Sequence, residues 1–115
     1  MATRNVPRPG RQVRGSRTGR PVMAALDLLG RRWALRILWE LRAGELGARA
    51  LRERCDTMSS SVLYERLGEL VAAGLVTRTA TGGYALTGLG ESLGEALAPL
   101  DSWARRWAAS TDRAR

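Results

Sequence analysis

Between residues 59 and 74 the apolar side chains recur at helical intervals. At about 100° per residue, Val62, Leu63, Leu67, Leu70 and Val71 fall on one face, with Ser61, Tyr64, Glu65, Gly68 and Ala72 opposite. One side of such a helix packs and the other is free to touch a partner. Ser59 is placed to accept a backbone N–H as N-cap, and Gly74 ends the helix by taking a left-handed backbone that other residues avoid. The period then changes. Leu75 to Thr79 is aliphatic and β-branched, Gly82-Gly83 suits a two-residue type I′ turn with positive φ, and Tyr84 to Thr87 supplies a return strand.

The segments before and after this unit are helical. Pro21 opens a first helix with Val22, Leu26 and Leu29 on one face, and Gly30 ends it. A second helix follows from Arg31 to Ala43, with Ala34, Ile37, Leu38 and Leu41 as its core stripe. Leu35 and Trp39 lie one turn apart on a different flank, and a second apolar flank on a helix implies a second partner. Gly44 and Gly47 interrupt the chain, residues 48 to 54 form a short third helix whose Leu51 faces Leu63, and Cys55 to Met58 is the turn before the helix described above. The last helix runs from about Gly88 to Ser110, carrying Leu89, Leu93, Leu97, Leu100, Trp103 and Trp107 at spacings of three and four. Pro99 within it predicts a kink or a division in two. The expected architecture is mainly α with a small β-hairpin, a winged helix-turn-helix, with terminal helices forming a dimer interface. That interface is expected to contain Leu35, Trp39, Leu97, Leu100, Trp103 and Trp107, because they are more apolar surface than the end of a small domain hides alone.

Charge changes the picture more than composition does. The chain has 115 residues and a formal charge of +8, and all nineteen basic residues are arginine. Six of them, at positions 4, 8, 11, 14, 17 and 20, lie in the acid-free first 21 residues. Prolines, glycines and the lack of apolar periodicity make residues 1 to 20 an expected disordered arm, followed by the folded domain over 21 to 110 and a flexible tail over 111 to 115. Residues 31 to 54 hold seven arginines against Glu40, Glu45 and Glu53, whereas 59 to 87 balances Arg66 and Arg78 against Glu65 and Glu69. The helix with the free polar face is therefore not itself basic. The arm has two readings, a strand of arginines along phosphates or in a minor groove, and a solvated tail that raises nonspecific attraction.

The chemistry is sparse. With no histidine, no lysine and one cysteine, the chain offers no zinc set, no internal disulfide and no base beside Ser59-Ser60-Ser61 to make a nucleophile, so no enzyme, cofactor or metal is expected. Cys55 is expected to fill a small apolar gap. No apolar run approaches the roughly 20 residues of a membrane span, and a cytoplasmic protein is expected.

The segments RPVMAALDLLGRRWALRILWEL, MSSSVLYERLGELVAAGLV, YALTGLGESL and LAPLDSWARRW resemble, in order and spacing, the HxlR family of bacterial winged-helix regulators over residues 20 to 107. The resemblance implies a dimeric transcription factor with residues 59 to 72 in the major groove, the hairpin as wing, and terminal helices pairing the subunits. It matches Ser59 to the family's capping serine, Arg66 to its arginine, and Trp33 and Trp103 to its structural tryptophans. By helix geometry Arg66 lies near the buried edge, which leaves a phosphate contact and a local ion pair both open. The chain departs from the pattern at Arg20, where many members carry a cysteine that in some is redox-sensing, at Ala48 and Ala50, which replace a phenylalanine and a glutamate, and in its short wing.

The expected function is sequence-specific binding of double-stranded DNA by a homodimer on an inverted-repeat operator. Ser60, Ser61, Tyr64 and Glu65 are the candidates for base edges, with Ser59 and Arg66 beside them and Arg49, Arg52 and Arg78 for phosphates. The competing expectation is a nucleoid-type architectural binder without strong sequence preference, carried by the basic arm. No small-molecule effector is indicated by the sequence.

Overall fold

Ile37, Leu51 and Leu63 have no surface left in water, and the three helices that carry them meet there. The computed structural model describes residues 6–11, 13 and 19–113. Its elements are α1 (Pro21–Leu29), α2 (Ala34–Leu41), α3 (Ala48–Arg54), α4 (Ser60–Ala72), β1 (Val76–Arg78), β2 (Tyr84–Leu86) and α5 (Gly88–Arg113). Leu67 and Leu70 of α4, Val76 and Tyr84 of the hairpin and Leu28 of α1 close the core around those three residues. Among the described residues this is five helices with an antiparallel hairpin, a winged helix-turn-helix. Among the described residues, no helix is long and apolar enough to cross a membrane.

Several boundaries differ from the sequence expectation. The first helix buries Ala24 and Leu28 and leaves Val22 and Leu26 exposed. Pro21 to Leu29 is apolar nearly all round, so periodicity alone gives it no direction. The second helix begins at Ala34 rather than Arg31, because Trp33 holds a left-handed backbone with φ of 75° that a right-handed helix cannot pass through. The last helix is not divided at Pro99 and continues to Arg113, through residues expected as a tail. The N–H that proline lacks would have met the carbonyl of Glu95, an exposed residue where water is a substitute partner. Val6, expected in the arm, is buried in the core cluster, and the Gly10 N–H donates to the Gly19 carbonyl at 2.8 Å. Arg4, Arg14 and Arg17 lie outside the described residues.

The wing turns differently as well. β1 and β2 pair Val76 with Leu86, Thr77 with Ala85 and Arg78 with Tyr84. The Thr79 N–H donates to Gly83, and the Gly82 N–H returns to Thr79 at 3.0 Å with only Gly82, at φ of 85°, in the left-handed region. This is a three-residue loop with a glycine bulge rather than a type I′ turn. Leu46 adds a third, single-residue rung, exchanging backbone bonds with Tyr84 at 3.0 and 2.8 Å. Beside it the Glu45 carboxylate accepts hydrogen bonds from the Thr79 and Thr81 hydroxyls, both at 2.5 Å, and Gly83 leaves the room that this requires. A Cβ on Gly83 would stand 2.6 Å from Glu45 Oε2.

The join between wing and last helix explains the run Tyr84, Leu86, Thr87, Gly90. The Thr87 hydroxyl accepts from the Gly90 N–H at 3.0 Å, capping α5, and donates to the Gly74 carbonyl at 2.6 Å. Gly90 is buried with the Leu75 carbonyl where a Cβ would project. Cys55 is fully buried, and burial pushes its thiol above the ordinary range.

Two outcomes follow. Gly90→Ala is expected to destabilise the fold by ~1–3 kcal/mol through overpacking. Gly94→Ala, whose Cβ meets nothing within 4 Å, should instead stabilise by ~0.5–1 kcal/mol through helix propensity. Urea unfolding of both variants measures the two signs, and equal effects contradict the contact at Leu75. The second outcome concerns Glu45, whose carboxyl is held below the usual carboxylate range by the Thr79 hydroxyl first and Thr81 second. A lowered folded-state value means that the contribution is complete above the unfolded value and is lost as pH falls through the folded one. The Gly83 amide resonance should therefore shift in acid in the wild type and not in Glu45→Gln. A wild-type resonance that ignores acid contradicts the contact.

Candidate nucleic-acid interface

The position of α4 is set from both ends. At its start, Asp56 and Thr57 both take left-handed backbones, with φ of 59° and 55°. A β-branched residue in that region is strained, so the turn must be held by its neighbours. Thr57 donates its N–H to the Arg52 carbonyl, Met58 donates to Cys55, and Arg52 Nε donates to the Met58 carbonyl at 2.6 Å. The Ser59 hydroxyl then accepts the Val62 N–H at 3.3 Å as the N-cap.

The far end of α4 is held by charge. Glu69 is buried at 8% exposure, with Arg31 Nη1 2.7 Å from one oxygen and Arg66 Nη1 3.2 Å from the other. Arg66 Nε also donates to the Arg32 carbonyl at 2.7 Å. These bonds fasten α4 to the corner between α1 and α2, where Trp33 is strained. Of the two roles open to Arg66, the geometry favours the ion pair: its side chain is 17% exposed and bonded on two sides.

With the charges of Arg66 and Glu69 turned inward, the outer face of α4 presents Ser60, Ser61, Tyr64 and Glu65. All four are exposed, and Tyr64 retains 55% of its surface. Ser59 and Ser61 share a hydroxyl contact at 2.9 Å, and Glu65 lies 3.1 Å from Arg66. The structure thus brings the four base-edge candidates together on one helix face. Arg49 stands on α3 with its side chain 95% exposed, 4.0 Å from Glu53. Arg78 stands on the wing over the Tyr84 ring at 5.7 Å. Arg52 is exposed, but its Nε serves the turn rather than solvent.

Sequence reasoning missed the role of Glu69 and Arg31. The signal available was Arg66 and Glu69 at a spacing of three, which pairs them on one side of a helix. Arg31, 38 positions from Glu69, gave none.

The six expected interface residues lie on α2 and α5. Leu35, Trp39, Leu97 and Leu100 line an apolar groove of about 330 Å³ between α2 and α5, with the Arg42 guanidinium 3.6 Å over the Trp39 ring. Further along α5, Trp103 and Trp107 stack with centroids 5.5 Å apart, both half exposed. No cluster of His, Cys, Asp and Glu suited to a metal occurs among the described residues.

Comparison with known proteins agrees with this geometry. Residues 28–112 match the HxlR-like helix-turn-helix family. The chain is 32% identical over 89 residues to the HTH-type transcriptional regulator YvaP of Bacillus subtilis, covering 72% of this chain and 82% of that one. The quinone-bound structure of YodB from B. subtilis superposes with a TM-score of 0.69 at 30% identity, over 74% of this chain and 94% of YodB. A structure described as an HxlR-family transcription factor from Thermoplasma volcanium gives 0.63 at 29% identity, over 77% and 82% of the two chains. An exposed polar face on a firmly held helix, a wing beside it and this set of relatives agree: the chain belongs to the HxlR-like helix-turn-helix family of DNA-binding transcriptional regulators.

Proposed function

We propose that the protein binds double-stranded DNA as a homodimer that sets two α4 helices in successive major grooves, about 34 Å apart, on an inverted-repeat operator. The observation that carries this reading is the outer face of α4, where Ser60, Ser61, Tyr64 and Glu65 are exposed while Arg66 and Glu69 are bound inward. Serine hydroxyls serve either kind of base, Tyr64 donates a bond or packs on a thymine methyl, and Glu65 accepts from cytosine N4. Arg49, Arg52 and Arg78 hold phosphates and fix register without choosing sequence. The two subunits pair through the apolar side that carries Leu35, Trp39, Leu97, Leu100, Trp103 and Trp107. The protein works in the cytoplasm as a binding protein and not as an enzyme, a reading supported by the absence of histidine and lysine from the sequence.

Selection of bound genomic fragments followed by footprinting tests this function. The expected result is a discrete protected palindrome, and continuous coating of the DNA overturns it in favour of an architectural binder. On the selected site, Tyr64→Ala should lose ~1–3 kcal/mol of binding and little on random DNA. Equal losses on both contradict a base-reading role for Tyr64.

A further inference from the structure

The corner between α1 and α2 carries two adjacent arginines with opposite roles. Arg31 turns inward to the buried Glu69, with Nη1 2.7 Å from its carboxylate. Arg32 is exposed, and its guanidinium carbon lies over the Trp33 ring, 5.6 Å from the centroid. Among the described residues no acid pairs with Arg32 and no protein acceptor takes its side-chain N–H groups. Trp33 has φ of 75°, so this corner is a strained backbone that its surroundings must hold, and strain of this kind clusters at binding sites. The hold comes from α4. Arg66 Nε donates to the Arg32 carbonyl at 2.7 Å, and the same guanidinium reaches the Glu65 carboxylate at 3.1 Å. A single guanidinium therefore separates the backbone of Arg32 from the exposed face of α4. That bond uses the carbonyl, which any residue would supply, and leaves the arginine side chain itself unaccounted for.

We infer that Arg32 is a phosphate anchor of the DNA interface, its guanidinium holding a backbone oxygen of the strand that runs beside Glu65. The inference rests on the DNA-binding reading above and adds to it a residue and a role. Three features of the position fit that role. A guanidinium is planar and presents a fork of N–H groups that matches the oxygens of a phosphate, and here those groups have no acceptor in the described chain. Contact with the Trp33 ring restricts the side chain before DNA arrives, which lowers the entropy cost of binding. Glu65 is the one acid among the four exposed residues of the α4 face, and a cation at the neighbouring corner offsets part of its repulsion of phosphate. The bond from Arg66 makes the contact more than a local one. Because the Arg32 carbonyl is fastened to α4, a phosphate held by Arg32 also fixes where α4 stands against the duplex, and it does so for any base sequence.

The salt dependence of binding tests the anchor. The affinity of the full chain for its selected operator and for a random-sequence duplex is measured between about 50 and 200 mM salt, with circular dichroism as the check on folding. Arg32→Gln keeps the carbonyl that Arg66 uses. It should weaken binding to both duplexes by a like factor of roughly ten and lower the salt slope on each by about 0.9. Arg32→Lys retains the charge and should keep the wild-type slope. Arg106→Gln, an equal loss of charge at an exposed position of α5, should leave the slope unchanged. The anchor is overturned, while DNA binding stands, if Arg32→Gln keeps the wild-type slope or if Arg32→Lys loses as much slope as Arg32→Gln. It is overturned in favour of a general effect of net charge if Arg106→Gln loses as much, and in favour of a base contact if Arg32→Gln weakens the operator alone. A wild type that binds neither duplex overturns both the anchor and the DNA-binding reading.

Discussion

The structure depends on one buried carboxylate. Glu69 sits on the inner side of α4 between the guanidinium groups of Arg31 and Arg66, and Arg66 reaches on to the backbone of Arg32. Buried ion pairs contribute little net stability, since desolvation offsets most of their attraction, but they are particular about geometry. A core of leucines alone would hold α4 against α2 and α3 at a range of rotations. The three-way contact selects one, and it is the rotation that turns Ser60, Ser61, Tyr64 and Glu65 outward.

The same contact sets the charge of the face proposed to read DNA. It removes Arg66 from the reading face, leaving that face polar and nearly uncharged. In the proposed function the general attraction then falls to arginines elsewhere, such as Arg49 on α3 and Arg78 on the wing, both of them exposed. The proposed function thus separates phosphate attraction without sequence choice and base contact without much charge onto different elements. The wing adds one cation and a short loop, and that loop is stiffened from behind by Glu45, Thr79 and Thr81 rather than extended toward a groove.

Much of this was legible in the sequence, and the failures have particular causes. The α3 limits, the Ser59 cap, the stop at Gly74 and the packing of Leu51 with Leu63 all follow from local capping and periodicity, and the structure has them. The start of α2 was illegible because nothing local announces a tryptophan in a left-handed backbone. The glycine pair of the wing suggests a type I′ turn, whereas Gly83 is there for room beside Glu45, a residue 38 positions away, and not for its φ. On α1, an apolar surface nearly all round gave no direction. The base-edge candidates follow from the face opposite a hydrophobic stripe, and the structure has that face exposed. Arg66 was not resolved, because its partners include a residue on another helix corner.

The central claim is that Glu69 fixes the rotation of α4 and with it the reading face. The most direct measurement is the ratio of operator affinity to random-DNA affinity for Glu69→Gln at one salt concentration. Glutamine keeps the shape but removes the negative charge and one of the two acceptor oxygens that hold the arginines, so the account expects the ratio to fall at least tenfold while random-DNA affinity holds or rises. An unchanged ratio in a folded variant would contradict it.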